Sequence, residues 1–327
     1  MFKLGNASYR DYIPLPRWEG EARGGGGPRR DAASPRRRAL VFGLLAASLL
    51  VNVRFVWVLA TAWPAPLDDY QGLRPRALAS TRPVNPQDHA IVTGLYTDAF
   101  ASAPTPIERI APPHAGVHRH FLDQYSKLQL WTLDRKGYKA AVYVDADTLV
   151  KRSFDELFRL PYTFAAVPDV YTSSPGYVTA FNAGVLFLRP DSALYADMAS
   201  KIASARYPPK EAEQAFLNLY FGAEALRLPY AYNANLAIRQ RTPALWDALA
   251  REARVVHYTM AKPFLQGDYE EVPLAELERN AARVARQKPL FRKEIDEWVA
   301  AWGATKRAYG AELERCEGLS RKPGVHA

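Results

Sequence analysis

The stretch AAVYVDADTLVKRSFDELF, residues 140–158, opens with five apolar residues and breaks at two aspartates, Asp145 and Asp147. A short apolar run of this kind reads as a buried strand, Ala140–Val144. Residues i and i+2 of an extended chain point the same way, so both carboxylates are expected to face one point. Open α/β sheets bind ligands at the carboxyl ends of their strands, which is where this pair falls. Two carboxylates there offer oxygen ligands to a hard divalent cation bridging a diphosphate. Taken alone, the pair is a weak signal, because acidic pairs commonly close strands as solvated loop residues.

Outward from this segment, apolar runs at Ala90–Tyr96, Phe164–Val167 and Gly184–Leu188 are expected as further strands. Near-helical spacing runs from His118 to about Arg135, through Phe121, Leu122, Tyr125, Leu128, Leu130 and Trp131. Helices are also expected at Asp191–Ala205 and Glu211–Phe221. Strands alternating with helices predict an α/β domain with a mostly parallel sheet flanked by helices. Pro104, Pro106, Pro112 and Pro113 forbid a long helix between residues 97 and 117. Beyond Val272 the chain is helical in pattern, with Leu290, Phe291, Ile295, Trp298 and Trp302 on one face.

The 327 residues are 48% hydrophobic and 24% charged, which excludes wholesale disorder. The single cysteine, Cys316, excludes an internal disulfide framework and an all-cysteine zinc site. Of the net charge of +9, +5 sits in residues 1–38, so the body is close to balanced and no nucleic-acid partner is expected. Residues 1–38 read as a disordered basic tail, and residues 39–63 as a transmembrane helix long enough to cross a hydrocarbon core of ~30 Å. Arg54 lies past its middle and is placed to snorkel, with Trp57 and Trp63 near the far interface. The Arg36–Arg38 cluster puts the N-terminus in the cytosol by the positive-inside rule, so the sequon at Asn6 stays unmodified. Residues 64–88 read as a stem, 89–272 as the folded domain and 273–327 as a helical extension.

The residues 143–158 also resemble the metal-binding segment of the glycogenin-like retaining glycosyltransferases, family 8. Four more blocks match in order: Ser126-Lys127-Leu128; Phe181-Asn182-Ala183-Gly184-Val185; Glu213-Gln214-Ala215-Phe216-Leu217-Asn218 with Leu228-Pro229 and Tyr232-Asn233; and Val256-His257-Tyr258 with Lys262-Pro263-Phe264. The resemblance runs from about Ala90 to Phe264, just over half the chain. It implies a GT-A, Rossmann-like nucleotide-sugar transferase fold. By the same resemblance, Asp145, Asp147 and His257 hold Mn²⁺ or Mg²⁺, and Lys262 reaches the diphosphate of a UDP-sugar. Thr93 and Tyr96 would touch uracil and ribose; Lys127, Ala146, Asn182, Ala183, Gly184 and Gln214 would line the donor site. Glu213, Gln214 and Asn182 are the implied catalytic candidates, with double displacement and same-face substitution both open. Outside the family, Lys127 is one exposed helix lysine, and His257 a structural histidine.

The chain departs from the family between Tyr96 and Lys127, where about 30 residues stand in place of a helix, a strand and a further helix. The passage Phe100–Ile107 reads like a join, which predicts a nucleotide-binding half shortened by alternative splicing or an incomplete gene reading, and an exposed sheet edge. Two functions follow as expectations. One is a single-pass Golgi or other secretory-pathway glycosyltransferase, acting on an external glycan, glycolipid or protein acceptor. The other is a catalytically inactive relative serving as a scaffold or binding protein. Glucose, galactose, glucuronic acid and N-acetylglucosamine all fit as donor sugars.

Overall fold

A computed structural model of the chain describes residues 34–61, 78, 85–93, 107–172, 177–267 and 269–320. The chain divides into two units, residues Met1–Trp63 and Pro64–Ala327. In the first, α1 (Pro35–Thr61) is a continuous helix of 27 residues, or ~40 Å at 1.5 Å per residue. Its span from Pro35 to Trp57 is long and apolar enough to cross a membrane by length and composition. The described side chains of this span are exposed within the unit.

The second unit is α/β. Its main sheet has the order β1 (His89–Thr93), β2 (Ala140–Val144), β5 (Tyr177–Leu188), β4 (Phe164–Val170), β6 (Leu226–Arg227). The expected mostly parallel sheet is instead mixed: β1 with β2 and β4 with β6 are parallel, while β5 runs antiparallel to both β2 and β4. The reason lies in the connection. β4 and β5 follow each other directly, and without a crossover helix consecutive strands can pair only antiparallel. A second sheet joins β3 (Thr148–Val150), β8 (Val255–His257) and β7 (Ala234–Asn235).

β2 is buried along its whole length because both sheet faces are covered. One face carries Tyr125, Leu128 and Trp131 from a long 3₁₀ segment, Gln124–Lys136, with α2 (Ser192–Lys201) and α3 (Ala212–Phe221). Trp131, Phe164 and Phe221 stack there, with centroids 4.3 to 5.8 Å apart. Gly137, at φ 85°, ends the 3₁₀ segment and turns the chain into β2. Asp191 caps α2 by accepting from the amides of Ala193 and Leu194, so the helix starts where expected but ends at Lys201 rather than Ala205.

The opposite face is covered by α4 (Leu236–Arg241), α5 (Pro243–Glu252), α6 (Leu277–Gln287) and α7 (Arg292–Ser320). Phe291 and Ile295 enter this core, whereas Leu290 of the same expected apolar face is exposed. The Trp246 indole N–H donates to Glu294 at 3.0 Å, and the Tyr258 hydroxyl to the Glu294 carbonyl at 2.7 Å. Of the expected stem, Leu78 packs on the core, its amide donating to the Tyr232 hydroxyl. Tyr96 and residues 100–106 of the Phe100–Ile107 passage lie outside the described residues. Among the described residues no strand pairs with the outer edge of β1, and Ile91 there is 62% exposed.

Candidate active site

The buried strand β2 delivers its chain at the sheet's end, and the local turn does the rest. Asp145-Ala146-Asp147 is a turn rather than the extended segment expected from spacing. The Thr148 amide and hydroxyl both donate back to the Asp145 carbonyl, at 3.1 and 2.7 Å. The turn leaves Ala146 exposed at its tip and sends both carboxylates inward. β3 then pairs with β8 so that Thr148 stands opposite His257. Ligand atoms of Asp145, Asp147 and His257 lie within 4.8 Å of one another.

Two lysines enter this group. Lys127, expected as an exposed residue in the absence of the family resemblance, is buried. Its ammonium lies 2.8 Å from Asp145 and 2.9 Å from Glu213, over the face of Tyr143. Lys262 pairs with Asp147. Burial alone raises the Asp147 carboxyl, but His257 and Lys262 outweigh it and hold the group well below the usual carboxylate range. At Glu213 the balance goes the other way: burial pushes the carboxyl up, and the Lys127 charge offsets only part of that.

An amide network fixes the imidazole. The Gly184 N–H donates to the Asn182 Oδ1 at 3.0 Å, which orients that side chain. The same oxygen accepts from the Asn233 Nδ2 at 2.9 Å, so the Asn233 Oδ1 faces the His257 Nδ1 at 3.1 Å. The Nδ1 therefore carries a hydrogen, and the Nε2 is left facing the Asp147 Oδ1 at 3.0 Å. Two carboxylates and one imidazole with ligand atoms within 4.8 Å of one another fit a divalent metal ion in ligand type.

Beside this lies a second cluster. The Ala183 N–H and the Asn182 Nδ2 donate to the Gln214 Oε1, at 2.9 and 3.2 Å. The Gln214 Nε2 donates in turn to Asp169 Oδ2 at 3.1 Å. Asp169 is buried, and burial raises its carboxyl despite three hydrogen bonds. It stands at a bulge, where the β4–β5 register shifts between Pro168 and Val170. A bulge re-aims a side chain, which is how an acid inside a buried strand reaches the site.

Asn182, Ala183, Gly184, Gln214, Glu213, Lys127, Asp145, Asp147, His257 and Lys262 thus converge. Gly184 sits against the His257 ring, where an added Cβ would fall 2.3 Å from the imidazole Cε1. Thr93 ends β1 level with Val144, exposed and one residue short of the Asp145 turn. Asp169, Asn233 and Tyr143, whose hydroxyl donates to Asp145 at 2.8 Å, are the site residues that sequence reasoning left without a role. A proline inside an apolar run, followed by an acid, was the signal for Asp169.

Residues 118–266 match the family model described as Glycosyl transferase family 8. Galactinol synthase 1 of Solanum lycopersicum is 30% identical over 188 residues, covering 50% of this chain and 58% of that protein. Glycogenin-1 of Mus musculus is 33% identical over 139 residues, covering 41% and 39%. The chain therefore spans between about two fifths and three fifths of the length of these two relatives. Among solved structures, the glycosyltransferase GlyE of Streptococcus pneumoniae TIGR4 aligns at 14% identity and TM-score 0.37, over 64% of each chain. Mouse xyloside xylosyltransferase 1 aligns at 13% and 0.30, over 50% of this chain and 70% of that one.

Proposed function

We propose that this protein is a metal-dependent, retaining glycosyltransferase that moves a hexosyl group from a UDP-sugar to a glycan, glycolipid or protein acceptor. The observation that carries the reading is the convergence of Asp145, Asp147 and His257 with two lysines and an ordered amide cluster. The match to the family 8 model over residues 118–266 supports it. Asp145, Asp147 and His257 would hold Mn²⁺ or Mg²⁺, whose charge makes the diphosphate a better leaving group. Lys262 and Lys127, which neutralise the carboxylates here, would turn their ammonium groups to the phosphates. Asn182, Gln214 and Asp169 present donors and acceptors already held by one another, suited to sugar hydroxyls. Glu213, whose carboxyl burial pushes up, would be the carboxylate with a role at the anomeric carbon. The α1 helix would anchor the protein in a Golgi or other secretory-pathway membrane with residues 1–38 cytosolic.

The test is a thermal melt of the full-length protein in detergent, with UDP, Mn²⁺, both, or neither. A ligand at ~100 times its dissociation constant stabilises the fold by about 2.7 kcal/mol. The expected result is a rise that needs both components and disappears in Asp147→Asn. A cooperative melt indifferent to both would refute the donor site and leave the binding-protein reading.

A further inference from the structure

Lys262 reaches Asp147 from a loop, and what holds that loop lies in the C-terminal helices. After β8 ends at His257, the chain leaves the sheet and comes back to Asp147 at Lys262. A lysine is a point charge on a flexible four-carbon stem, so its ammonium is well placed only where the backbone beneath it is fixed. The Leu265 N–H closes a turn on the Lys262 carbonyl at 3.3 Å. The carbonyls of Pro263 and Leu265 turn to α6, where one side chain takes both. The Asn280 Nδ2 donates to the Pro263 carbonyl at 2.6 Å and to the Leu265 carbonyl at 3.0 Å.

Asn280 is itself held. It is only 6% exposed, and its Oδ1 accepts from the Arg283 Nε at 3.1 Å and from the Arg283 Nη2 at 2.5 Å. A guanidinium only donates and a carbonyl only accepts, so the amide can face just one way. The Arg283 Nη1 donates in turn to the Gln287 Oε1 at 3.0 Å. The same helices grip the loop twice more: the Tyr258 hydroxyl donates to the Glu294 carbonyl, and the Lys288 ammonium to the Met260 carbonyl. Of these contacts the Asn280 pair is nearest Lys262, because Pro263 follows it directly and its ring fixes the backbone there. Asn280 lies beyond residues 118–266, the part of the chain that matches the family model.

We propose that Asn280 is a positioning residue for the diphosphate: it pins the turn after Lys262 and so keeps the ammonium at the Asp147 end of the carboxylate pair. The proposal rests on the nucleotide-sugar reading above. A side chain that only stabilised the domain would serve metal and diphosphate alike. One that acts through Lys262 serves the diphosphate alone, since the lysine is a like charge beside the ligands of a cation.

The experiment is calorimetric titration of the full-length protein in detergent, with Mn²⁺ alone and with inorganic pyrophosphate in the presence of Mn²⁺. Asn280→Leu, similar in shape but without hydrogen bonds, should weaken pyrophosphate about 10-fold, the low end of what one hydrogen bond to a charged group contributes. Its affinity for Mn²⁺ alone should not fall. In a Lys262→Met background the same substitution should change pyrophosphate affinity less than ~2-fold, because the group it acts through is gone. Asn280→Asp, which keeps the acceptor for Arg283 and loses the donors to the loop, carries the same comparison if Asn280→Leu does not melt cooperatively. Wild-type pyrophosphate affinity in the folded variant would overturn the proposal. So would a matching loss of Mn²⁺ affinity, an equal loss with and without Lys262, or failure of both variants to fold, each of which makes Asn280 a support of the domain. If the wild-type protein binds neither Mn²⁺ nor pyrophosphate, the donor reading itself fails, and this role with it.

Discussion

Replacing Gly184 by alanine puts one methyl group into the tightest contact of the site. The new Cβ would lie 2.3 Å from the His257 Cε1, 2.7 Å from its Nδ1 and 2.8 Å from the Asn182 Oδ1. Ordinary contact begins near 3.4 Å, so the imidazole must retreat by about 1 Å. The strand cannot yield instead: Gly184 lies inside β5, and its carbonyl accepts the Asp145 amide at 2.8 Å. Metal–ligand distances tolerate only about 0.2 Å, so a displacement of that size takes the Nε2 out of reach. Metal affinity should fall by at least the ~10–100-fold seen when a ligand's supporting shell is disturbed. Overpacking should cost about 1–3 kcal/mol of stability.

The assay is Mn²⁺ titration by calorimetry beside urea unfolding, on wild type, Gly184→Ala, His257→Ala and the double variant. Shrinking the imidazole to a methyl removes the clash, so the two substitutions should be non-additive in stability by more than ~0.5 kcal/mol. Metal affinity should remain lost in the double variant, because a ligand is gone. Wild-type Mn²⁺ affinity in Gly184→Ala would show that the ring is not held where the geometry puts it, and would falsify the reasoning.

Three more outcomes follow from the same geometry. Lys127→Met leaves Glu213 and Asp145 without their shared cation; the expected loss is about 3–5 kcal/mol in urea unfolding, and a loss under ~1 kcal/mol would contradict the buried pairing. Asn233→Ala removes the acceptor of the His257 Nδ1 and frees the ring, so Mn²⁺ affinity should drop ~10–100-fold while the protein stays folded; unchanged affinity would deny the orienting role. Asp169 has a raised carboxyl pKa in the folded protein, so the folded state keeps a proton that the unfolded chain releases near its ordinary 3.8. Its stabilising share is therefore present below 3.8 and lost as pH rises through the folded value. Relative to Asp169→Asn, wild type should lose stability across that interval, and the opposite slope in unfolding free energies at acid and neutral pH would reject the assignment.

Local patterns that need no distant partner were legible beforehand. The five apolar residues before Asp145 have to be a strand buried on both faces, because no amphipathic alternation divides them. The Asp191 cap and the apolar spacing of Glu211–Phe221 place α2 and α3 to within a few residues. The 25 residues from Ala39 to Trp63 have no polar face to turn to water, and α1 covers nearly all of them. The grouping of Asp145, Asp147 and His257 was legible only from ordered blocks matching a known pattern, and ligand-type atoms of the three lie within 4.8 Å of one another.

Other features depend on residues far apart in the chain, and the tertiary structure decided them. Whether the sheet is parallel or mixed depends on which strands follow one another without a crossover; periodicity is identical either way. The orientation of the His257 imidazole passes from the Gly184 amide through Asn182 to Asn233, a path of hydrogen bonds across three segments. Asp169 looks like a misplaced charge in an apolar strand until the bulge at Pro168 turns it toward Asn182 and Gln214. Lys127 reads as a solvated helix lysine until the packed sheet face closes over it and leaves two carboxylates as its partners. Residue type and spacing thus determined the elements and the chemical repertoire. Burial decided which charges must pair, because a charge withdrawn from water has to find its counterpart within reach.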